Sequence, residues 1–176
     1  MDNIECERMG VIATETKGED FKIRFYQSGD AYKQDLREVF DDRGFLDKHK
    51  FHKHLERIKD KCVLIVAESA ASEIVSIVVF SFLWRGVADV ALFTSPIFDK
   101  FPEDVGRVAK DVLRYMEEVH KLHRIQAMIR ASIPAALEFV IELQFQKEGY
   151  LKKYTPDGED YLLVARTAEV KRWRDM

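Results

Sequence analysis

The stretch CVLIVAESAASEIVSIVVFSFLWRGVADVALFT, residues 62–94, decides the fold. Its three apolar runs are rich in β-branched residues and predict three strands, over residues 62–68, 73–84 and 87–94. The breaks between the runs are too short to hold a crossover connection. The three strands are therefore predicted to be antiparallel neighbours joined by hairpins.

A long helix and a further strand are predicted directly after this stretch. Apolar residues recur at helical spacing through residues 103–121, at Val105, Val108, Val112, Met116 and Val119. Residues 124–129, RIQAMI, then follow the pattern of a strand. A strand, a helix and a strand in succession predict a crossover at the centre of a mixed sheet.

The flanking segments add strands and helices on both sides. Upstream, the patterns predict a strand over residues 21–26 and helices over 31–40 and 47–59. Downstream, they predict a helix over 134–143 and a hairpin of strands 145–154 and 160–165. The order indicates an α/β protein with a mixed, largely antiparallel sheet of about seven strands and about four helices.

Composition and domain organisation favour one ordinary domain. Hydrophobic residues make up 47% of the chain and charged residues 34%, which is typical of a globular protein. No linker-like tract divides the sequence. We expect an N-terminal extension over residues 1–20, a single domain over 21–170 and a tail over 171–176.

Charge and hydropathy exclude several classes of function. The net charge of −3 gives no electrostatic argument for a nucleic-acid partner. The longest apolar run, residues 74–83, is shorter than the roughly 20 residues that span a bilayer. The N-terminus lacks the basic and apolar regions of a signal peptide, and Cys6 and Cys62 suggest no exported disulfide framework. The expectation is a cytoplasmic protein without a membrane or nucleic-acid partner.

Three segments of the second half resemble a known family. They are KLHRIQA at residues 121–127, FQKEGYLKKY at 145–154 and DGEDYLL at 157–163. The order of the elements and these segments are similar to the GNAT acetyltransferase superfamily, nearest to its ribosomal-protein N-acetyltransferase branch. The resemblance covers roughly residues 60–166. It implies the GNAT fold and an acetyl-coenzyme A-dependent transfer of an acetyl group to an amine, carried by a small molecule or a protein.

The resemblance also implies where the cofactor binds. In the family the cofactor lies in a V between two splayed parallel strands, and its pyrophosphate rests on a loop that opens the central helix. Free N–H groups and the positive end of the helix dipole hold the phosphates there. The residues implied here are Leu92, Phe93, Thr94, Ser95, Lys100, Val105, Gly106, Arg107 and Val108.

The pyrophosphate motif departs from the family pattern, Arg/Gln-x-x-Gly-x-Gly/Ala. If Gly106 is the first glycine, Glu103 replaces the Arg or Gln and Val108 replaces the second small residue. A shifted alignment recovers Ala109 but loses Gly106, so both alignments stay open. Glu103 and Asp104 would repel a pyrophosphate, and Lys100 and Arg107 would partly compensate.

Two further departures lie in the helix over 134–143. The tyrosine that often protonates the leaving thiolate is replaced by Val140, and the asparagine that often opens this helix is replaced by Pro134. These departures motivate a second hypothesis of a different class. In that hypothesis the chain is a catalytically inactive GNAT-fold protein that serves as a binding or structural component for a macromolecular partner.

Three residues are candidates for the chemistry. Asp89 lies on the strand before the cofactor loop and could accept the proton of the amine, although an exposed strand residue beside a turn is the plainer interpretation. Tyr150 and Tyr154 could donate a phenolic proton in place of the missing tyrosine, although strand packing is the plainer role.

The histidines His49, His52 and His54 lie close together in sequence. Lysines surround them and no acidic or cysteine ligand is interleaved, so the pattern favours a solvated basic helix over a metal site. A role in binding a substrate or an acidic partner stays open. So does a homodimer, because edge strands of such a sheet can pair.

Overall fold

The structure is a computed structural model that describes residues 21–33, 48–100 and 102–168. The predicted extension and tail, and the predicted helix over 31–40 beyond residue 33, lie outside these residues. No helix in the described part of the chain is long and apolar enough to cross a membrane.

The described residues contain seven strands and three α-helices in the predicted order. The strands are β1 (Phe21–Phe25), β2 (Val63–Ser69), β3 (Ile74–Trp84), β4 (Val87–Thr94), β5 (Arg124–Arg130), β6 (Gln146–Leu151) and β7 (Tyr161–Thr167). The helices are α1 (Lys48–Ile58), α2 (Pro102–Val119) and α3 (Pro134–Glu142). Short 3-10 turns lie at Asp30–Tyr32 and Pro96–Lys100.

The strands form one mixed sheet in the order β1-β2-β3-β4-β5-β7-β6. The pairs β1–β2, β2–β3, β5–β7 and β6–β7 are antiparallel, whereas β4 and β5 are parallel and α2 lies between them in sequence. The predicted mixed sheet with a central crossover is confirmed.

The chain divides into two compact units. The first comprises Met1–Ser81 and Ala91–Val108, and the second comprises Phe82–Val90 and Ala109–Met176. The described part of the first unit holds β1, β2, most of β3, the end of β4, α1 and the start of α2. The second holds the start of β4, the rest of α2, α3 and strands β5 to β7.

The core of the first unit lies between α1 and strands β2 and β3. Phe51 and Leu55, four residues apart on α1, are buried against alternate residues of the two strands. Those strand residues are Leu64, Val66, Ile77 and Val79, which register in pairs across β2 and β3. Full burial of each such side chain stabilises the fold by about 1.5–3 kcal/mol.

A buried ion pair ties β1 to the turn that follows it. Asp30 is 0% exposed, and its carboxylate accepts hydrogen bonds from Arg24 Nη1 at 2.6 Å and Nη2 at 2.9 Å. The backbone N–H of Gln27 donates to it at 2.7 Å and Lys33 Nζ at 3.1 Å. Burial alone would raise the pKa of Asp30, but these donors outweigh burial and hold the pKa below its ordinary value.

In the second unit, strand β5 has one buried face. Ile125, Ala127 and Ile129 are buried, and the residues between them are half-buried. Arg166 of β7 donates to the Glu117 carboxylate at 2.6 Å, which anchors α2 to the strand. The same guanidinium donates to the carbonyl of Leu143, just after α3, at 2.9 Å.

The turn between β3 and β4 requires its glycine. Gly86 has φ of 78°, and a Cβ there would lie 2.4 Å from the His123 ring. The backbone N–H groups of His123 and Arg124 donate to the Gly86 carbonyl at 2.9 and 3.1 Å. Both the left-handed backbone and the close approach exclude a side chain at this position.

Candidate functional site

Strand β4 pairs with β5 at the start of both strands. The registered pairs are Val87 with Arg124, Ala88 with Ile125 and Asp89 with Gln126. Strand β4 continues to Thr94, so the four residues predicted to hold the acyl part of the cofactor follow the paired segment.

Those four residues, 92–95, differ in how much of each side chain is available. The Phe93 ring packs edge-on against Phe51 of α1, with 4.8 Å between centroids. Ser95 is fully buried, and both its N–H and its hydroxyl donate to the Val75 carbonyl, at 2.9 and 3.2 Å. Leu92 is 40% exposed and Thr94 is half-buried. Phe93 and Ser95 therefore serve internal packing, and Leu92, Thr94 and the strand backbone are left for a ligand.

The predicted pyrophosphate residues other than Lys100 lie within α2 rather than in a loop before it. The helix begins at Pro102, so Val105, Gly106, Arg107 and Val108 belong to its first two turns. Val105 and Val108 are buried. The N–H of Gly106 is taken up by a hydrogen bond within the helix. The N–H groups open to a ligand are those of the first turn, and Pro102 has no N–H to contribute.

No close packing contact within the described chain requires a glycine at position 106. A Cβ built on it meets no atom within 4 Å among the described residues. Glycine inside a helix costs roughly 0.5–1 kcal/mol relative to alanine, and nothing in its surroundings offsets that cost. The missing side chain leaves open space over the second turn of α2.

Opposite charges meet at this helix start. Arg107 donates a hydrogen bond to the Asp104 carboxylate three residues earlier. Lys100 is exposed just before the helix. A diphosphate would find the positive end of the helix dipole, the open space at Gly106 and the Lys100 ammonium, with the Asp104 charge opposing it. The residues fit the diphosphate of coenzyme A, although Asp104 weakens the fit.

The candidate catalytic residues do not come together. Asp89 registers with Gln126, and residues that register across strands point to the same face of a sheet. Tyr150 registers with Leu162, which registers with Ile129, three residues after Gln126. Because three is an odd number of steps, Tyr150 and Asp89 project from opposite faces.

The two tyrosines make local contacts in the β6–β7 hairpin. The Tyr150 hydroxyl donates to Asp160 at 2.5 Å, and this bond to a carboxylate raises the pKa of Tyr150. The Tyr154 ring packs against Tyr161, with 5.5 Å between centroids, and its backbone N–H donates to the Glu159 carbonyl.

A polar row on the same face as Asp89 was missed from the sequence. Arg124 makes a bidentate ion pair with Glu148, at 2.9 and 2.6 Å. The Nε of the same arginine donates to the side-chain oxygen of Gln126 at 3.1 Å, which orients that amide. Gln126 is the residue that registers with Asp89 across β4 and β5. The sequence feature that could have revealed this row is RIQ at residues 124–126, where two polar residues lie two positions apart and so share one face of a strand.

The histidines of α1 have separate partners. The Tyr32 hydroxyl lies 2.9 Å from His49 Nδ1, and the Tyr32 ring lies over His52 at 3.7 Å between centroids. His54 Nδ1 accepts from Arg57 at 3.2 Å. Among the described residues, no group of three or more His, Cys, Asp or Glu side chains could hold a metal ion.

Comparison with known proteins shows the fold. No protein-family model and no curated protein sequence matches the chain. An acetyltransferase of the GNAT family from Bacillus anthracis superposes with a TM-score of 0.67 at 19% identity, covering 84% of this chain and 94% of that one. A ribosomal-protein-S5-alanine acetyltransferase from Vibrio fischeri gives 0.66 at 18%, covering 87% and 94%.

A mutant of spermidine N-acetyltransferase SpeG from Vibrio cholerae gives a TM-score of 0.69 at 14% identity, covering 89% of this chain and 98% of that one. The likeness in each case extends over nearly the whole of the solved chain. The chain therefore has the GNAT fold, as the sequence segments predicted.

Proposed function

We propose that the protein is an acetyl-coenzyme A-dependent N-acetyltransferase. The observation that carries the proposal is the parallel β4–α2–β5 crossover, within a fold that superposes on solved acetyltransferases along nearly their whole length. Fold alone does not fix chemistry, so the proposal also rests on the residues at the end of β4 and the start of α2.

The cofactor would lie along the end of β4 and over the first turns of α2. Leu92, Thr94 and the strand backbone would contact its acyl arm. Lys100 and the first-turn N–H groups would hold the diphosphate, with Gly106 leaving room for it. When bound, the cofactor supplies an acetyl group activated as a thioester.

Asp89 would accept the proton that an ammonium acceptor must lose before it can attack. The carboxylate is half-buried on β4, and the Gln126 amide beside it is held by Arg124. A positioned general base of this kind contributes roughly a hundredfold or more in rate. Tyr154 is the better candidate of the two tyrosines for protonating the thiolate, because the Tyr150 proton is already donated to Asp160.

The acceptor class that we propose is an alkyl amine. One structural neighbour is by name a spermidine acetyltransferase, and another is a ribosomal-protein alanine acetyltransferase. Both names describe transfer of an acetyl group to an amine, on a small molecule in one case and on a protein in the other.

The test is acetyl transfer to a panel of polyamines, amino acids and peptides, with products detected by mass spectrometry. An Asp89→Asn variant, which keeps the side-chain shape, should lower kcat about a hundredfold while leaving acetyl-coenzyme A affinity unchanged. Equal turnover by wild type and Asp89→Asn would remove Asp89 from the chemistry. Cofactor binding without product from any amine would overturn the transferase proposal.

A second candidate is favoured by the ion pair at the start of α2. Asp104 places a negative charge where the diphosphate would lie and occupies Arg107, and Pro102 supplies no N–H. A GNAT-fold protein that has lost the cofactor and binds a macromolecular partner would have these features. Absence of acetyl-coenzyme A binding would support this candidate over the first.

A further inference from the structure

Helix α1 carries basic side chains along one exposed face. Lys50, Lys53 and Arg57 are exposed and are spaced three and four residues apart, which places them on one side of the helix. Lys61, four residues further on, is also exposed and follows the end of the helix. These four residues are called the basic stripe below.

Asp60, which is exposed and precedes Lys61, is the acidic residue next to the basic stripe in sequence. No ion pair within 4.0 Å joins any of the four side chains to a described carboxylate. Glu56, the acidic residue of α1, is held instead by Lys59 at 2.9 Å and by the hydroxyls of Tyr26 and Ser28. The stripe therefore concentrates positive charge on a chain whose net charge is −3.

The other side of the same helix contacts the strand proposed to hold the cofactor. Phe51 is buried and packs edge-on against Phe93 of β4. Both residues belong to the first compact unit. Because a helix with its side chains is about 10–12 Å across, the basic stripe lies roughly that far from the end of β4.

We infer that the acceptor is an amine on an acidic peptide whose carboxylates bind the basic stripe. This inference rests on the proposed function and names its substrate class. An extended peptide advances about 3.3 Å per residue, so acidic side chains about three to five residues from the amine would reach the stripe. Positive charge on α1 repels polyamines and lysine-rich peptides and draws in anionic segments.

An acidic peptide fits better than the other common polyanion, a nucleic acid. Acetyl transfer to an alkyl amine needs such an amine on the acceptor, and a peptide supplies it at its N-terminus or at lysine. Within α1 the stripe also runs only from Lys50 to Arg57, about two helical turns or roughly 10 Å, which suits a few carboxylates rather than a long phosphate backbone.

The experiment uses three fluorescent peptides that share one lysine. About four residues after it they carry four glutamates, four serines or four arginines. Binding of the peptides and of a labelled single-stranded RNA is measured by fluorescence anisotropy without cofactor, and binding of spermidine is measured by competition. Acetylation of the lysine is measured separately by mass spectrometry. The test variant is K50E/K53E/R57E. The matched control is K22E/K110E/K152E, which reverses three exposed lysines outside α1.

The glutamate peptide should bind the wild type most tightly, and K50E/K53E/R57E should weaken that binding about tenfold or more, as the loss of several exposed ion pairs requires. The control should change it less than about twofold, and added salt should weaken wild-type binding. Equal weakening in both variants, tightest binding by the arginine peptide or spermidine, or tighter binding of a single-stranded RNA would each overturn the inference.

The two readouts separate this inference from the proposed function. If no peptide and no polyamine is acetylated, the transferase proposal fails, and the anisotropy series still decides whether the basic stripe binds acidic peptides. If polyamines are acetylated and the glutamate peptide does not bind, the transferase proposal stands and the acidic-peptide inference is wrong.

Discussion

Two arginine–aspartate pairs of this chain have opposite surroundings. Arg24 and Asp30 meet where the carboxylate is 0% exposed and accepts from two further donors. Arg107 and Asp104 meet at the start of α2, where their side chains are 45% and 33% exposed. The first pair closes a network between β1 and its turn, and the second lies where a ligand could displace it.

The difference shows that burial decides what an ion pair contributes. A buried carboxylate that loses its charge removes an ion pair that water cannot replace, whereas exposed partners return to water at little cost. The Arg24–Asp30 pair should therefore govern stability and the Arg107–Asp104 pair should govern ligand affinity. Substitutions at the two sites can break this division.

The largest effect is expected for Asp30→Asn. This change keeps the shape but leaves Arg24 facing a neutral amide, with Glu68 at 2.7 Å as its remaining carboxylate partner. It should lower the free energy of unfolding by about 3 kcal/mol. Urea denaturation followed by circular dichroism measures the change. The matched control is Asp104→Asn, for which a loss below about 1 kcal/mol is expected. Equal losses at the two sites would refute the role given to burial.

A smaller effect is expected from acid. The pKa of Glu56 is lowered to about 2, first by its bond to Lys59, so the folded state holds this proton more weakly than the unfolded state. The associated stability is present above the unfolded pKa, near 4.3, and is lost as the pH falls toward 2. Solvent screening limits the contribution of these partly exposed contacts to about 1 kcal/mol.

Glu56→Gln should therefore flatten the fall in stability between pH 5 and pH 2, where the carboxylate titrates. Thermal unfolding at intervals of pH measures the slope. Glu138→Gln, at an exposed position on α3, is the control and should leave the slope as in the wild type. A wild-type slope in Glu56→Gln would show that its carboxylate does not contribute.

Gly106→Ala should separate stability from binding. Alanine should raise the free energy of unfolding by about 0.5–1 kcal/mol, because the position is helical and its Cβ meets nothing within 4 Å. The same methyl group should lower acetyl-coenzyme A affinity if the diphosphate lies over this turn. Higher stability with unchanged affinity would place the cofactor elsewhere.

The smallest effect is expected for Asp104→Asn on cofactor affinity. Removing this charge releases Arg107 and should tighten acetyl-coenzyme A binding about threefold, the scale of one exposed charge interaction. Isothermal titration measures the affinity. The control is Asp111→Asn, which removes the carboxylate of a second Asp–Arg ion pair on α2. Weaker binding in Asp104→Asn would mean that the carboxylate helps the ligand.

The sequence was sufficient where one local pattern determines the structure. Apolar runs rich in β-branched residues predicted β2 to β4, and a strand pattern predicted β5. The break at Arg85 and Gly86 predicted the turn that positive φ and the His123 ring make necessary. Helical spacing predicted α2 to within two residues at its end, which is Val119 rather than residue 121.

The site depended on features that no local pattern contains. A register shift between Lys147 and Gly149 sets which face of β6 each side chain occupies, and one residue of slip reverses the assignment. Asp89 and Tyr150 were therefore proposed together although they project from opposite faces. The Arg24–Asp30 pair and the Gln126 amide likewise depend on contacts between distant segments.

Isothermal titration of the purified protein with acetyl-coenzyme A, with dephospho-coenzyme A and free adenosine as controls, tests directly whether the start of α2 holds the cofactor. We expect binding in the micromolar range that Gly106→Ala weakens and Asp104→Asn strengthens. No heat of binding at millimolar acetyl-coenzyme A would contradict this expectation and would mean that this GNAT fold serves a macromolecular partner instead.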